Sequence, residues 1–99
     1  MKPASLKILG KKWSVDYVKD TPLEKDEMGL CDLEKQAIHI KEGLPAEQER
    51  STLLHESIHA ISDSLGLGLS EKQVQGLETG MFDLNSRNPK FFSYLRRKK

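Results

Sequence analysis

An intramolecular disulfide is excluded first, because Cys31 is the only cysteine in the 99 residues. No apolar stretch approaches the roughly 18 residues that a membrane span needs. The N-terminal Met1-Lys2-Pro3-Ala4-Ser5 runs into alternating charge and not into the apolar core of a signal peptide. A cytoplasmic location is the expectation, unless another protein exports or releases the chain. Charge of one sign is not in excess: the formal net charge of +1 gives no general case for nucleic acid as a partner, with Arg96-Arg97-Lys98-Lys99 as the local exception. Internal repeats and low-complexity segments are absent. Residues 1–99 therefore make one small domain with room for a single core.

One segment names a chemistry. His55-Glu56-Ser57-Ile58-His59 lies inside the apolar run from Leu53-Leu54 to Ala60-Ile61. On a helix, positions four apart lie one above the other, so the two imidazoles converge on a point that suits a zinc ion. Glu56 sits about 100° round the helix from His55, where its carboxylate reaches a zinc-bound water without binding the metal. Zinc with one position left to water lowers that water's pKa to roughly 7 and makes a nucleophile at neutral pH. Leu54, Ile58, Ile61 and Leu65 form an apolar stripe beside the histidines, as expected of a helix carrying its site into an interior.

The remaining elements frame this helix. Leu6 to Leu9 and Trp13 to Val18 read as a hairpin around Gly10-Lys11-Lys12, and Leu30-Cys31-Asp32 with Ala37-Ile38-His39-Ile40 as a second strand pair. Asp20-Thr21-Pro22 to Met28-Gly29 reads as a surface loop, with room for a helical turn starting at Pro22. Pro45 is a good first helical residue, and the apolar spacing carries a helix to about Leu65. Gly66-Leu67-Gly68-Leu69 breaks it, and Ser70-Glu71-Lys72-Gln73 has the form of a capping box that opens a second helix to roughly Asn85. Val74, Leu77, Met81 and Leu84 give that helix a core-facing stripe. Asn88-Pro89 stops it, leaving Lys90 to Leu95 as a last turn or short helix. The expected class is α+β: a small three- or four-stranded, mostly antiparallel sheet packed on two antiparallel helices.

A zinc peptidase site needs a third protein ligand, expected on the returning helix. At 1.5 Å per residue that helix must climb about six residues before it is level with His59, which favours Glu78 and leaves Glu71, on the same face, as the alternative if the loop is tighter. Cys31 is expected to be a small buried apolar residue and not a ligand. Tyr17 and Tyr94 are expected to pack and not to stabilise an oxyanion.

A helix bearing HEXXH followed by one bearing a glutamate ligand resembles the zincin metallopeptidases of the gluzincin type. The small size and the order of sheet, active-site helix and glutamate helix resemble the ImmA/IrrE-like and related phage-encoded minimal metallopeptidases. The resemblance covers roughly Met28 to Pro89, through Gly29-Leu30-Cys31-Asp32, Ile38-His39-Ile40, Leu53 to Ile61 and Leu69-Ser70-Glu71 through Asn88-Pro89. Only the His-Glu segment is specific. In ImmA/IrrE-like proteins the third ligand sits in a Glu-x-x-Ala-Asn pattern, whose overlay here puts Gln75 at the glutamate position, followed by Glu78 and Thr79. Either Glu78 has taken over as ligand or the metal is held less tightly. The resemblance implies a minimal zincin-like zinc metalloendopeptidase with zinc on His55, His59 and Glu78, Glu56 as general base, and a protein or peptide substrate. It also implies that Ile38-His39-Ile40 borders the cleft and pairs with that substrate. Period-2 alternation, however, sets His39 on the sheet face opposite Ile38 and Ile40, as an ordinary exposed strand histidine. The rival readings are a non-catalytic zinc-stabilised interaction domain, using the basic tail, and a metal-free scaffold.

Overall fold

The computed structural model describes residues 1–97; of the basic end, Lys98 and Lys99 lie outside the described residues. Strands β1 (Ser5–Ile8) and β2 (Lys11–Val18) form an antiparallel hairpin in which Ile8 faces Lys11. The two residues between them, Leu9 and Gly10, both have positive φ, 52° and 81°. That is the backbone sense a two-residue hairpin turn demands of a right-twisted pair, and glycine meets it without strain. β3 (Gly29–Asp32) and β4 (Ala37–Lys41) form a second antiparallel pair. Its connection is tied by the Asp32 carboxylate, which accepts from the Lys35 amide at 3.0 Å.

The expectation of a small α+β fold holds in this coarse form, with four strands. The strand order β1-β2-β4-β3 makes the sheet mixed, because β2 and β4 run parallel. The chain leaves β2, lays β3 at the far edge, and returns with β4 between. This puts the most apolar strand in the middle: Ile38 and Ile40 are wholly buried, and with Trp13, Val15 and Ala60 they make the core.

Helix α1 (Ala46–Leu65) covers one face of the sheet. Glu47 and Glu49 in its first turn complement the helix dipole. Its C-terminus is a Schellman turn: Gly66 is left-handed at φ 65°, its N–H donates to the Asp63 carbonyl, and the Leu67 N–H donates to the Ser62 carbonyl. Helix α2 (Glu71–Arg87) packs on α1 and not on the sheet, so the expected arrangement of two helices on the sheet is corrected to a stack of sheet, α1 and α2. A short α3 (Phe91–Leu95) follows against α2. The expected apolar stripes are therefore buried only in part. Val74 is fully enclosed, but Leu77 and Leu84 are 44 % and 39 % exposed, and Ile61 and Leu65 are exposed as well. A single-layer sheet with one covering helix has no further apolar surface to offer them. No helix among the described residues is long and apolar enough to cross a membrane.

The start of α2 is fixed by a complete capping box. The Ser70 hydroxyl accepts from the Gln73 amide at 3.1 Å, and the Gln73 side chain accepts from the Ser70 amide at 2.8 Å. Ser70→Ala should cost about 1 kcal/mol, a fall in Tm of about 4–8 °C for a domain of this size. Thermal melting followed by circular dichroism tests this, and an unchanged Tm would mean that the cap does not hold α2.

Candidate metal centre

His55 and His59 lie on adjacent turns of α1 with ring centroids 5.0 Å apart. Their Nε2 atoms meet the same carboxylate from α2. Glu71 Oε1 is 2.5 Å from His55 Nε2, and Glu71 Oε2 is 3.0 Å from His59 Nε2. One ligand atom from each of His55, His59 and Glu71 lies within 4.8 Å of the others, a spacing that could hold a metal ion. Glu78 is placed differently: its Oε1 is 2.9 Å from His55 Nδ1, on the side of the ring away from Glu71. Of the two glutamates weighed for the third place, the structure brings Glu71 together with both histidines and sets Glu78 against the other nitrogen of His55.

The reason lies in the loop. Gly66 and Gly68 are both left-handed, at φ 65° and 63°, and they fold the chain back along α1 so that the Leu69 amide donates to the buried Ser62 hydroxyl at 3.0 Å. The loop itself makes the climb that the helix was expected to make. Leu69 is thus level with Ser62, three residues beyond His59 on α1, and Glu71, in the first turn of α2, is already beside the histidines. The contacts run through 62, 59 and 55 on α1 against 69 in the loop and 71 and 78 on α2, the antiparallel sense that the sequence implies.

The donor set also fits a cation on chemical grounds. If His55 is neutral and donates its Nδ1 proton to Glu78, the Nε2 lone pair faces a carboxylate oxygen at 2.5 Å, which is repulsive unless a proton or a cation lies there. Burial acts on His55 against protonation, but the carboxylates of Glu78, Glu56 and Glu71 outweigh it and hold its pKa above the ordinary imidazole value. Metal-binding histidines commonly present one nitrogen to the ion and donate the other N–H to a carboxylate, and Glu78 is placed to accept it.

Glu56 is only 8 % exposed and makes no hydrogen bond or ion pair among the described residues. Burial pushes its pKa up, His55 and His59 pull it down, and the nearby carboxylates of Glu71 and Glu27 push it up again; the net direction is upward. Gly29 of β3 closes over it. A Cβ at that position would stand 2.7 Å from Thr52 Cγ2 and 3.0 Å from Glu56 Cγ, so only glycine lets the strand lie this close to α1.

A cleft of about 690 Å³ opens beside these groups, walled by β3, α1 and the loop before α2. Gly29, Leu30 and Cys31 line it, and β3 is the edge of the sheet. This corrects the expectation for Ile38-His39-Ile40. β4 is paired on both sides, so its backbone cannot take another strand, and the bordering strand is β3. His39 lies off the cleft, on the sheet face that the alternation implies, but its side chain is only 13 % exposed, with Nδ1 3.7 Å from Asp16 Oδ2 on β2, so the exposed histidine expected there is corrected to a largely buried one. The Tyr17 hydroxyl donates to the Pro3 carbonyl at 3.0 Å, and Tyr94 is exposed; neither lines the cleft. Ser62 and Asp63 belong to the site without having stood out in the sequence, although Asp63 continues the His55, His59 spacing by one more turn.

The chain matches no protein-family model, no curated protein sequence and no solved structure, so the argument for its function starts from this geometry.

Two predictions follow from the site. Glu71→Ala should remove a metal ligand outright. Glu78→Ala should weaken affinity only about 10–100-fold, the usual cost of losing a group that orients a ligand. Titration with Zn²⁺ against a competing chelator would show this ranking, and its reverse would return the ligand role to Glu78. The second prediction concerns Cys31. Burial, followed by the charges of Glu56, Asp63 and Asp32, pushes its thiol from 9.0 up to about 12. Above pH 9.0 the unfolded chain gives up this proton and the folded chain keeps it, so stability is lost as pH rises through that range. Melting curves of Cys31→Ala should lose less Tm between pH 8 and pH 10 than those of the parent, by about a few degrees; equal losses would place the thiol near its ordinary value.

Proposed function

We propose that the chain is a zinc-dependent metallopeptidase, with His55, His59 and Glu71 holding the metal and Glu56 as general base. The observation that carries this reading is the buried, unpartnered carboxylate of Glu56 beside two imidazoles and a carboxylate that converge at the wall of an open cleft. Two imidazoles and one carboxylate, with room for a further ligand, are a donor set characteristic of catalytic zinc. Zinc bound there supplies Lewis acidity, polarising a carbonyl and lowering the pKa of water to about 7.

The protein's own groups divide the remaining work. Glu56 accepts a proton from the attacking water and delivers it to the leaving amine nitrogen. Its raised pKa suits both halves of that transfer, since a base is most effective when its pKa lies near the working pH. Glu78 accepts a hydrogen bond from the Nδ1–H of His55 and so turns the Nε2 lone pair toward the metal position. The free edge of β3 offers backbone N–H and C=O groups to an extended peptide, which strand addition would align along the cleft.

Glu56→Gln keeps the shape of the side chain but cannot accept the proton. Zinc content should stay near one per chain while turnover of a fluorogenic peptide mixture falls by at least about 10²–10⁴. Undiminished hydrolysis by Glu56→Gln would rule out the assigned base. A zinc-loaded parent protein that cleaves no peptide would favour the non-catalytic interaction domain instead.

A further inference from the structure

The cleft carries more negative charge than a metal site requires. Its lining holds the carboxylates of Glu27, Glu56, Asp63 and Glu71 and no lysine or arginine, although the chain as a whole has a formal net charge of +1. Glu71 and Glu56 would be offset by a divalent ion; Glu27 and Asp63 would not. Asp63, one turn beyond His59 on α1, is exposed and makes no ion pair among the described residues. Glu27, just before β3, uses Oε1 to accept from the Glu24 amide at 2.9 Å, which fixes the side chain and leaves Oε2 without a partner among the described residues. Glu56, nine-tenths buried and unpartnered, lines the same cleft, so the acidic groups gather round a site prepared for a ligand and not on an idle surface. The field of Asp63 reaches across to Cys31 on β3, where it helps to disfavour the thiolate.

We infer that the cleft selects peptides with a lysine or arginine side chain close to the bond to be cut, and that Asp63 and Glu27 are the specificity-determining residues. This rests on the metallopeptidase reading for the cleavage step but not for the binding step. A cationic side chain lying along β3 offsets the two spare carboxylates, while an acidic side chain or a phosphate meets only like charge. Neither carboxylate touches the metal position, so removing them should alter the choice of substrate and leave metal binding intact.

The test uses zinc-loaded Glu56→Gln, which holds peptide without turning it over, and blocked alanine–leucine hexapeptides with lysine, norleucine or glutamate at one central position. By isothermal titration calorimetry at low salt the lysine peptide should bind about tenfold more tightly than the norleucine peptide, and the glutamate peptide most weakly. Added salt should shrink that advantage, since charges are screened over about 10 Å at 0.1 M. Adding Asp63→Asn and Glu27→Gln should reduce it to about twofold or less, with zinc content unchanged. Equal binding of the lysine and norleucine peptides, a lysine preference that survives both substitutions, or no binding of any peptide would overturn the inference. The same peptides incubated with the parent protein separate the two readings. A lysine preference in binding without cleavage defeats the peptidase reading alone, and cleavage without preference defeats the specificity alone.

Discussion

The hydrogen bond from the Leu69 amide to the Ser62 hydroxyl sets the register of α2 against α1, and the site depends on that register. Ser62 is buried, so its hydroxyl has a fixed position and few alternative partners. Gly66 and Gly68, both left-handed, bring the chain round to meet it. Once Leu69 is held there, the capping box starts α2 at once, and seven-residue spacing along one helical face puts Glu71 on one nitrogen of His55 and Glu78 on the other. A loop that ran straight on past Leu65 would carry the same helix farther down α1 and give the histidines a different carboxylate.

That register explains what could be read in the sequence and what could not. The His-Glu pentapeptide, the first long helix, the first hairpin and the capping box at Ser70 are local signals and all appear, with Pro45 as the N-cap of α1 and not its first residue, and with the hairpin turning on Leu9-Gly10 so that Lys11 and Lys12 belong to β2. The choice between Glu71 and Glu78 is not local. It turns on how far a five-residue loop travels, and two glycines with positive φ leave that distance open until the Ser62 contact is known. The parallel pairing of β2 with β4 was hidden for a similar reason, since nothing within either strand reports which neighbour it takes. The apolar stripes of α1 and α2 show the limit of periodicity: it marks a face that can be buried, and the size of the domain decides how much of it is.

Charge is the other constraint. His55 stands between two carboxylates, Glu56 is buried beside it, and His59 shares Glu71. With neutral imidazoles these three glutamates are an uncompensated cluster, and a buried carboxylate pays heavily for keeping its charge. Protonation of His55 relieves this in part, as its raised pKa shows. A divalent ion held by both imidazoles and Glu71 would relieve it more fully and would leave the Nδ1–H of His55 to donate to Glu78.

The overhang of α2 has a mechanical consequence. The helix is enclosed at Val74, while Leu77 and Leu84 look outward and a Cβ at Gly76 or Gly80 would meet open space. Glu71 and Glu78 engage α1 over the first two turns of α2, while beyond them Met81 and Phe82 are half-buried and Leu84 is exposed. An ion between Glu71 and the two histidines would be a cross-link between the helices, so docking of α2 and capture of the ion become a single coupled equilibrium. By mass action the free concentration of the ion then sets the fraction of molecules in which α2 lies against α1. The same chain would be a looser molecule in metal-poor surroundings and a tighter one in metal-rich ones.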